Sequence, residues 1–518
     1  MNSLSEVKEM YSKLKFRRQF LLTAGPMVMF DNWNCLKLEQ HFLYTHPDLD
    51  VVAVGGLDKR IVLVGCIFDY SQPEKENAEI LEDIHKSVQN VNELFVRIKQ
   101  YAGRYVLLYK DYASTIILQD ALALREVYYC VKDNRIVCGS QPNLIAEYGN
   151  PRIEERNDTE FLEYYQKNST NKRWSPYRKW IGDETYYEGV KHLLPNHFLD
   201  INKRGASRYW PNEPIKRLDL DEAVSRGCSF LQGSMRAIVN RYPVMMAVTA
   251  GTDSRTLLAA SRGMQNKIYY FVNDEGLGRS NPDISIPNKI FKSINVPFHV
   301  HGVQQYVDDR FRQIFLSNTF FASDRILPTI YNVYFKKHSE KVNILGIGEI
   351  GRARYGKEPK NLNKFRMLYK IVGHSVSRYE LKQAEKILSE LLPVGRLYGL
   401  NVLTLLYWEH ALGNWGVTGN SESDIAIEEL NPFDSHLLYE TLLGVDERQS
   451  RIKNSKLFKE MIRNMWPELL EWPINPPHTR QHKMKTFLYK IGLFEILKEL
   501  KYQINYGRYR YKTWKLRQ

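Results

Sequence analysis

The chain has 518 residues, enough for about three domains of ~150 residues or for two larger ones, so a single small module is excluded. Hydrophobic residues make up 43% of the sequence and charged residues 25%, as in ordinary globular proteins. The formal net charge of +14 permits an anionic partner, such as a nucleotide, a nucleic acid or acidic headgroups.

Targeting and redox signals are weak in this sequence. The five cysteines show no CxxC pair and no metal-ligand spacing, so we expect neither a disulfide framework nor a zinc site, and a reducing cytoplasm fits. A basic stretch precedes the apolar run 20–30, but Gly25-Pro26 interrupts it and no cleavage site follows, so we expect no signal peptide. No run approaches the ~18 apolar residues of a membrane-spanning helix.

The first part of the chain has the pattern of an α+β domain. Short β-patterned runs are separated by turn residues, and the segment 77–100 has apolar residues at helical spacing. The predicted strands are 51–54, 61–68, 104–109, 115–118 and 127–131. We place this domain at residues 1–150. Residues 151–215 have little regular periodicity, which predicts a connector.

From residue 216 to residue 518 the pattern changes to alternating strands and helices, followed by a mainly helical remainder. The order strand, helix, strand, helix, strand predicts a parallel sheet with helices on its faces. The predicted helices are 220–242, 255–262 and 283–295, and the predicted strands are 244–248, 267–272 and 296–301.

The loop 249–254 lies between a buried strand and a helix and has the sequence Thr249-Ala250-Gly251-Thr252-Asp253-Ser254. Such a loop directs backbone amides and the positive end of a helix dipole at one point, which favours phosphate. Its glycine permits close approach of a ligand, its hydroxyls can donate hydrogen bonds, and Asp253 can hold Mg²⁺. The alternative is a helix whose polar residues only cap their own amides.

The loop resembles the SGGxDS pyrophosphate loop of asparagine synthetase and its relatives among the ATP pyrophosphatases, the PP-loop family with an adenine nucleotide alpha hydrolase-like fold. Thr249 stands in place of serine and Ala250 in place of the first glycine. The resemblance implies that backbone at Val272 and Asn273 contacts adenine. It also puts an acidic residue, Asp283, before a histidine-bearing strand at His299. Alone, Asp283 would be interpreted as a helix cap.

Two later segments extend the resemblance. The stretch from Leu345 to Arg352 occupies the place of the family's second, glycine-rich acidic loop, where Gly348 would line the nucleotide and Glu349 is the single carboxylate. The resemblance implies that Glu349 shares Mg²⁺ with Asp253 and that Arg352 neutralises phosphate charge. Glu428 to Asp434 resembles the family's ExRxPFLD segment, with leucine in place of its arginine. Lys485, or its neighbour Lys483, is the candidate for the family's late catalytic lysine.

The first domain resembles the Ntn-type (class II) glutamine amidotransferase domain of the same family, and the stretches that begin at Gly103, Gln119, Arg125 and Cys138 follow its order. That chemistry needs a cysteine as the first mature residue. The chain begins Met1-Asn2-Ser3, so we expect a sandwich-like domain without glutaminase activity, as in β-lactam synthetase and related ligases.

The resemblance therefore implies an ATP- and Mg²⁺-dependent ligase that adenylates a small-molecule carboxylate and transfers an amine or ammonia. Ammonia would come from solution or from a partner glutaminase, and the acid could be aspartate, a sugar acid or a natural-product intermediate. Two alternatives stay open: an enzyme that modifies a nucleic-acid base, which the scaffold-like first domain does not favour, and a non-catalytic regulator.

The basic, aromatic segment 498–518 has the composition of a surface for single-stranded nucleic acid or an anionic membrane, although most such tails are solvated.

Overall fold

A computed structural model describes most of the chain. The described residues are 9–27, 32–149, 153–169, 181–302, 304–352, 355–371, 377–450, 455–477, 479, 484, 487–488 and 491–515.

Two antiparallel six-stranded sheets form the first part of the molecule, with strand orders β10-β8-β9-β1-β3-β2 and β12-β11-β7-β6-β5-β4. Their strands are β1 (Phe20–Thr23), β2 (Asn34–Leu38), β3 (His41–Thr45), β4 (Val51–Gly55), β5 (Arg60–Asp69), β6 (Tyr101–Lys110), β7 (Thr115–Gln119), β8 (Tyr128–Lys132), β9 (Arg135–Gly139), β10 (Val190–His192), β11 (His197–Asp200) and β12 (Gly205–Arg208). Their helices are α1 (Asn77–Ser87), α2 (Val91–Ile98), α3 (Pro142–Tyr148) and α4 (Thr159–Ser169).

The two sheets pack face to face. Alternate residues of their strands, such as Leu22, Val62, Leu108 and Tyr129, point inward and form one buried apolar layer. Helix α1 packs on the outer face of one sheet and α3 on the outer face of the other. The sandwich-like α+β prediction for this part of the chain is confirmed.

Two details differ from the sequence-based expectations. The segment 151–215, predicted to be a connector, contributes β10, β11 and β12, which pair with β8, β7 and β11 respectively. The sandwich therefore extends to Arg208, beyond the expected limit at residue 150. The single helix predicted at 77–100 is two helices, because the Asn90 side chain accepts a hydrogen bond from the Glu93 amide and begins a new helix there.

The second part contains a five-stranded sheet of order β15-β14-β13-β16-β17 in which all pairs are parallel. Its strands are β13 (Val244–Ala247), β14 (Ile268–Asp274), β15 (His299–Gly302), β16 (Val342–Ile344) and β17 (Glu428–Leu430). The longer helices of this part are α5 (Leu220–Arg241), α6 (Thr252–Ala260), α7 (Pro282–Ser293), α8 (Asp309–Asn318), α9 (Lys364–Ile371), α10 (Arg378–Tyr398), α11 (His436–Gly444), α12 (Lys456–Met465) and α13 (Leu493–Lys515).

Helices cover both faces of this sheet. Val244 and Met246 of β13 belong to the apolar cluster that includes α5 and α6, whereas Met245 belongs to a separate cluster with α8. Strands buried on both faces read as continuous apolar runs, which is why the sequence indicated them. The predicted parallel α/β sheet with a helical C-terminal part is confirmed.

A buried cluster of charged side chains joins the sandwich to the parallel-sheet part. Arg104 of β6 donates two hydrogen bonds to the carboxylate of Asp424, at 2.6 and 2.8 Å, and a third to Glu428 at 3.0 Å. Arg125 donates to Glu428 at 2.6 Å, and Arg18 donates to the Asp424 carbonyl at 2.6 Å. We call these five residues the arginine cluster. Since its cations and anions come from different parts of the chain, it ties the two parts together.

Candidate active site

The order of the parallel sheet identifies one crevice. The chain moves outward from β13 through β14 to β15, and then returns to the other side of β13 to form β16 and β17. At such a switch point the loops after the two central strands leave in opposite directions and open a crevice, where ligands of open α/β sheets bind. The two loops at this crevice are 249–251 after β13, which continues into the first turn of α6 at Thr252–Ser254 and not at the predicted Arg255, and 345–349 after β16.

The first loop folds back on its own hydroxyl groups. The Thr249 amide donates to Ser254 Oγ at 3.2 Å, and the two hydroxyls of these residues are 3.1 Å apart. The Gly251 amide donates to Thr249 Oγ1 at 3.2 Å, and Gly251 is the cap of α6. The first amides of α6 have no partner inside the helix and, with the helix dipole, form a site suited to an anion.

Two side chains from other elements hold this loop. The Ala250 amide donates to Asp283 Oδ1 at 3.0 Å, while Asn281 caps α7, so Asp283 bridges to the loop and is not the cap. From the C-terminal side, the Asn475 amide donates to the Ala250 carbonyl at 2.9 Å, and Asn475 Nδ2 donates to Thr252 Oγ1 at 3.0 Å. Sequence reasoning missed Asn475, because nothing local marks a residue 223 positions away as a loop partner.

The second loop lies directly against the first. A Cβ atom on Gly346 would be 3.2 Å from Asp253 Cβ, and one on Gly348 would be 2.9 Å from Asp253 Oδ1 and 3.0 Å from the Phe433 ring. The glycines therefore permit close packing of the two loops. The Ile347 amide donates to Asn431 Oδ1 at 3.2 Å, which fixes this loop to the residue between β17 and the Pro-Phe segment.

Asp253 and Arg352 form a buried ion pair across the crevice. Arg352 Nη2 is 2.5 Å from Asp253 Oδ2, and their side chains are 6% and 13% exposed. Burial raises the pKa of Asp253 to about 6, the Arg352 charge opposes this shift, and the nearby Glu349 charge adds to it. At neutral pH most Asp253 side chains are therefore ionised and held by the guanidinium.

Glu349 is held by a tyrosine from a distant helix. The Tyr407 hydroxyl donates to Glu349 Oε2. Tyr407 begins a π-helical segment, Tyr407–Gly416, whose first eight residues are buried. π-Helical segments are rare and occur often at functional sites, and no local pattern in the sequence indicates this one.

The residues present fit a magnesium ion that arrives with a phosphate ligand. In the described residues no group of three or more His, Cys, Asp and Glu side chains has the arrangement to hold a metal ion by itself. Mg²⁺ is usually held by one or two carboxylates together with waters and substrate phosphates. Asp253 Oδ1 is buried and faces the Gly348 backbone, and the Glu349 charge is close enough to raise the pKa of Asp253, so two carboxylates converge at this point of the crevice.

The other sequence-predicted residues fall into three groups. Val272 and Asn273 lie at the carboxyl end of β14, beside β13, and Asn273 Oδ1 is buried without a hydrogen-bond partner among the described residues. His299 stacks on Tyr269 at 4.1 Å on β15, the outer strand of the sheet. Lys485 and Lys483, and the chain start at residues 1–8, lie outside the described residues.

No protein-family model matches the chain, and no curated protein matches it. Among solved structures, a glutamine phosphoribosylpyrophosphate amidotransferase from B. subtilis, complexed with ADP and GMP, is 10% identical with a TM-score of 0.23, over 72% of this chain and 75% of that chain. A structure of the allosteric regulatory enzyme of purine biosynthesis is 11% identical with a TM-score of 0.24, and the match covers 73% of this chain and 76% of that chain. TM-scores this low carry no argument about fold or activity.

Proposed function

We propose that the protein is an ATP-dependent carbon–nitrogen ligase, similar to asparagine synthase, that forms an amide from a carboxylate and an amine. A carboxylate oxygen attacks the α-phosphorus of ATP, the bond to the β-phosphate oxygen breaks, and pyrophosphate leaves. The amine nitrogen then attacks the acyl carbon, the bond from that carbon to the AMP oxygen breaks, and the nitrogen loses a proton. The observation that carries this proposal is the meeting of the two loops at the switch-point crevice.

The residues of the crevice have roles that follow from their chemistry. The amides and hydroxyls of 249–254, at the positive end of α6, would bind the pyrophosphate part of ATP. Asp253 and Glu349 would hold Mg²⁺, which supplies neutralising charge for the departing pyrophosphate. Arg352 would add a fixed positive charge. Val272, Asn273 and Gly348 would line the nucleotide, and Lys485 would neutralise the acyl-adenylate.

The amine would not come from this chain's own sandwich. Cys66, Cys130, Cys138 and Cys228 are buried, and burial raises the pKa of each thiol, that of Cys66 to about 12, which keeps them protonated. Cys35, on β2, is exposed. Because these buried thiols are poor nucleophiles, the amine would be ammonia from solution, a second substrate, or the product of a partner glutaminase.

A nucleotide-binding regulator is the second candidate. The Asp253–Arg352 ion pair favours it, because a guanidinium occupies the carboxylate that a catalytic metal would need. This candidate predicts ATP binding without pyrophosphate release.

The deciding experiment is Mg²⁺-dependent exchange of labelled pyrophosphate into ATP, screened over amino acids, sugar acids and other small carboxylates. We expect exchange with one class of acid, and a loss of about 100-fold in Asp253→Asn, since a charged transition-state contact is removed. The matched control is Asp221→Asn, an exposed carboxylate on α5, which should keep full activity.

The two candidates give different results. ATP binding in wild type that Asp253→Asn weakens, with no exchange for any acid, would support the regulator. If no acid supports exchange and Asp253→Asn leaves ATP affinity unchanged, the crevice is not a nucleotide site and the ligase proposal fails.

A further inference from the structure

The last described helix, α13, is attached to the molecule by one face. Arg366 of α9 pairs with Glu499 and lies over the Tyr502 ring at 4.3 Å. Phe365 packs against Tyr502 and Tyr506, with ring centroids 5.7 and 5.2 Å apart. Glu499, Tyr502 and Tyr506 follow at spacings of three and four residues, so they share one side of the helix, and Tyr502 is only 6% exposed.

The opposite face of α13 is an exposed apolar stripe. Its five members are each between 44% and 58% exposed, although they are large aliphatic residues. At 100° per residue they fall within an arc of about 100°, on the side opposite Tyr502. They are Leu493, Ile496, Leu497, Leu500 and Ile504. Three further exposed apolar residues, Met484, Phe487 and Ile491, precede them in the chain.

The charge of the same helix indicates what covers this stripe. The sequence of α13 contains six lysine or arginine residues and two glutamates, and the whole chain has a net charge of +14. Lys501 is exposed beside the stripe. Two copies of such a helix would repel each other, so the charge disfavours self-association. A positive helix with an apolar face is complementary to an anionic bilayer surface.

We propose that α13 is a peripheral membrane anchor that lies in the surface of a bilayer rich in anionic phospholipid. The apolar stripe enters the boundary between headgroups and acyl chains, and the basic residues contact the lipid phosphates and carboxylates. No helix in the described part of the chain is long and apolar enough to cross a membrane, so the contact is with one leaflet. This proposal does not depend on the ligase activity.

The test is flotation of the full chain with vesicles of phosphatidylcholine alone and with vesicles containing 30% phosphatidylserine. We expect at least tenfold stronger binding to the anionic vesicles, and weaker binding as NaCl rises from 50 to 500 mM. The double variant Leu497→Asp/Leu500→Asp should lose this binding. The matched control is Leu397→Asp, which changes a 69% exposed leucine on α10 and should bind like wild type.

Circular dichroism and thermal unfolding of the variants show whether they remain folded. A second double variant, Lys512→Glu/Lys515→Glu, tests the contribution of the positive charge without changing the apolar stripe. That charge variant should bind anionic vesicles severalfold more weakly. Equal binding of wild type to both vesicle types, or unchanged binding of the folded double aspartate variant, would overturn the proposal. So would a dimer in light scattering that the double variant converts to a monomer without any vesicle binding, because the stripe would then bind a second copy.

Discussion

Glu429, on β17, is a buried carboxyl group whose ionisation opposes folding. Burial raises its pKa from 4.5 to about 7, while Asn343 Nδ2, which donates to its Oε1 at 3.0 Å, and the Arg104 charge oppose the shift. The folded protein therefore holds a proton between pH 4.5 and 7 that the unfolded chain releases. In this interval the stability contribution of Glu429 falls as pH rises, and above pH 7 the loss is complete.

We expect Glu429→Gln to stabilise the protein at pH 8 by roughly 3 kcal/mol, because the amide oxygen still accepts from Asn343 and carries no charge to be buried. The gain should shrink toward pH 5 and vanish near pH 4.5. Thermal unfolding at pH 5, 6.5 and 8 measures this, with Glu163→Gln at an exposed position of α4 as the control. A gain that does not depend on pH would contradict the assignment.

At the scale of elements, the π-helical segment Tyr407–Gly416 connects the candidate site with the sandwich. Its first residue contacts Glu349, and the next, Trp408, donates to the Ala121 carbonyl at 2.8 Å. Glu409 accepts two hydrogen bonds from Arg208, at 2.5 and 2.7 Å. One short segment thus orients a carboxylate of the site and binds the sandwich at Arg208 of β12 and at Ala121, which follows β7 of the same sheet.

Tyr407→Phe removes the hydroxyl that orients Glu349 and little else. If Glu349 holds Mg²⁺ as proposed, this loss should lower pyrophosphate exchange or Mg²⁺·ATP affinity by about 10-fold, the usual effect of losing a hydrogen bond to a metal ligand. Calorimetric titration of Mg²⁺·ATP measures the affinity. Tyr112→Phe, at an 87% exposed position, is the control. Equal affinity in both variants would show that Glu349 does not act on the nucleotide.

The elements that the sequence predicted well have local signals. Strand β13, its loop and α6 follow one another within seventeen residues, and burial on both faces makes the strand a continuous apolar run. Strands β10, β11 and β17 have three or four residues each and are fixed by partners far along the chain, and the four-residue β12 only adds to β11, so no periodicity could indicate them. For the same reason the sequence did not indicate Asn475 and Tyr407. Motif order indicated Asp253, Glu349 and Arg352 as candidates, and the structure brings these three side chains close together.

At the scale of the whole molecule, the arginine cluster makes the two parts interdependent. Arg104 is fully buried, and its partner Asp424 is 320 positions away. Removing one member of a buried ion pair leaves an uncompensated charge, which costs much more than the intact pair contributes. The sandwich and the parallel-sheet part should therefore unfold together.

We expect Arg104→Ala to destabilise the protein by about 3–5 kcal/mol, because Asp424 would stay buried without its main cation and Glu428 would lose one of its two hydrogen-bonded arginines. Arg226→Ala, which breaks an exposed pair with Glu222 on α5, should cost at most about 1 kcal/mol. Scanning calorimetry checks both values and should show one transition in the wild type. Two separate transitions in the wild type would mean that the cluster does not couple the parts.

The arginine cluster also has a consequence for synthesis on the ribosome. Arg18, Arg104 and Arg125 leave the ribosome early, whereas Asp424 and Glu428 follow about 300–400 residues later. At about 5–20 residues per second, the three arginines wait roughly 15–80 s for their carboxylates. During that interval the sandwich has a positively charged surface that it cannot bury. The sandwich can therefore pack against the parallel-sheet part only after the second half of the chain has been translated.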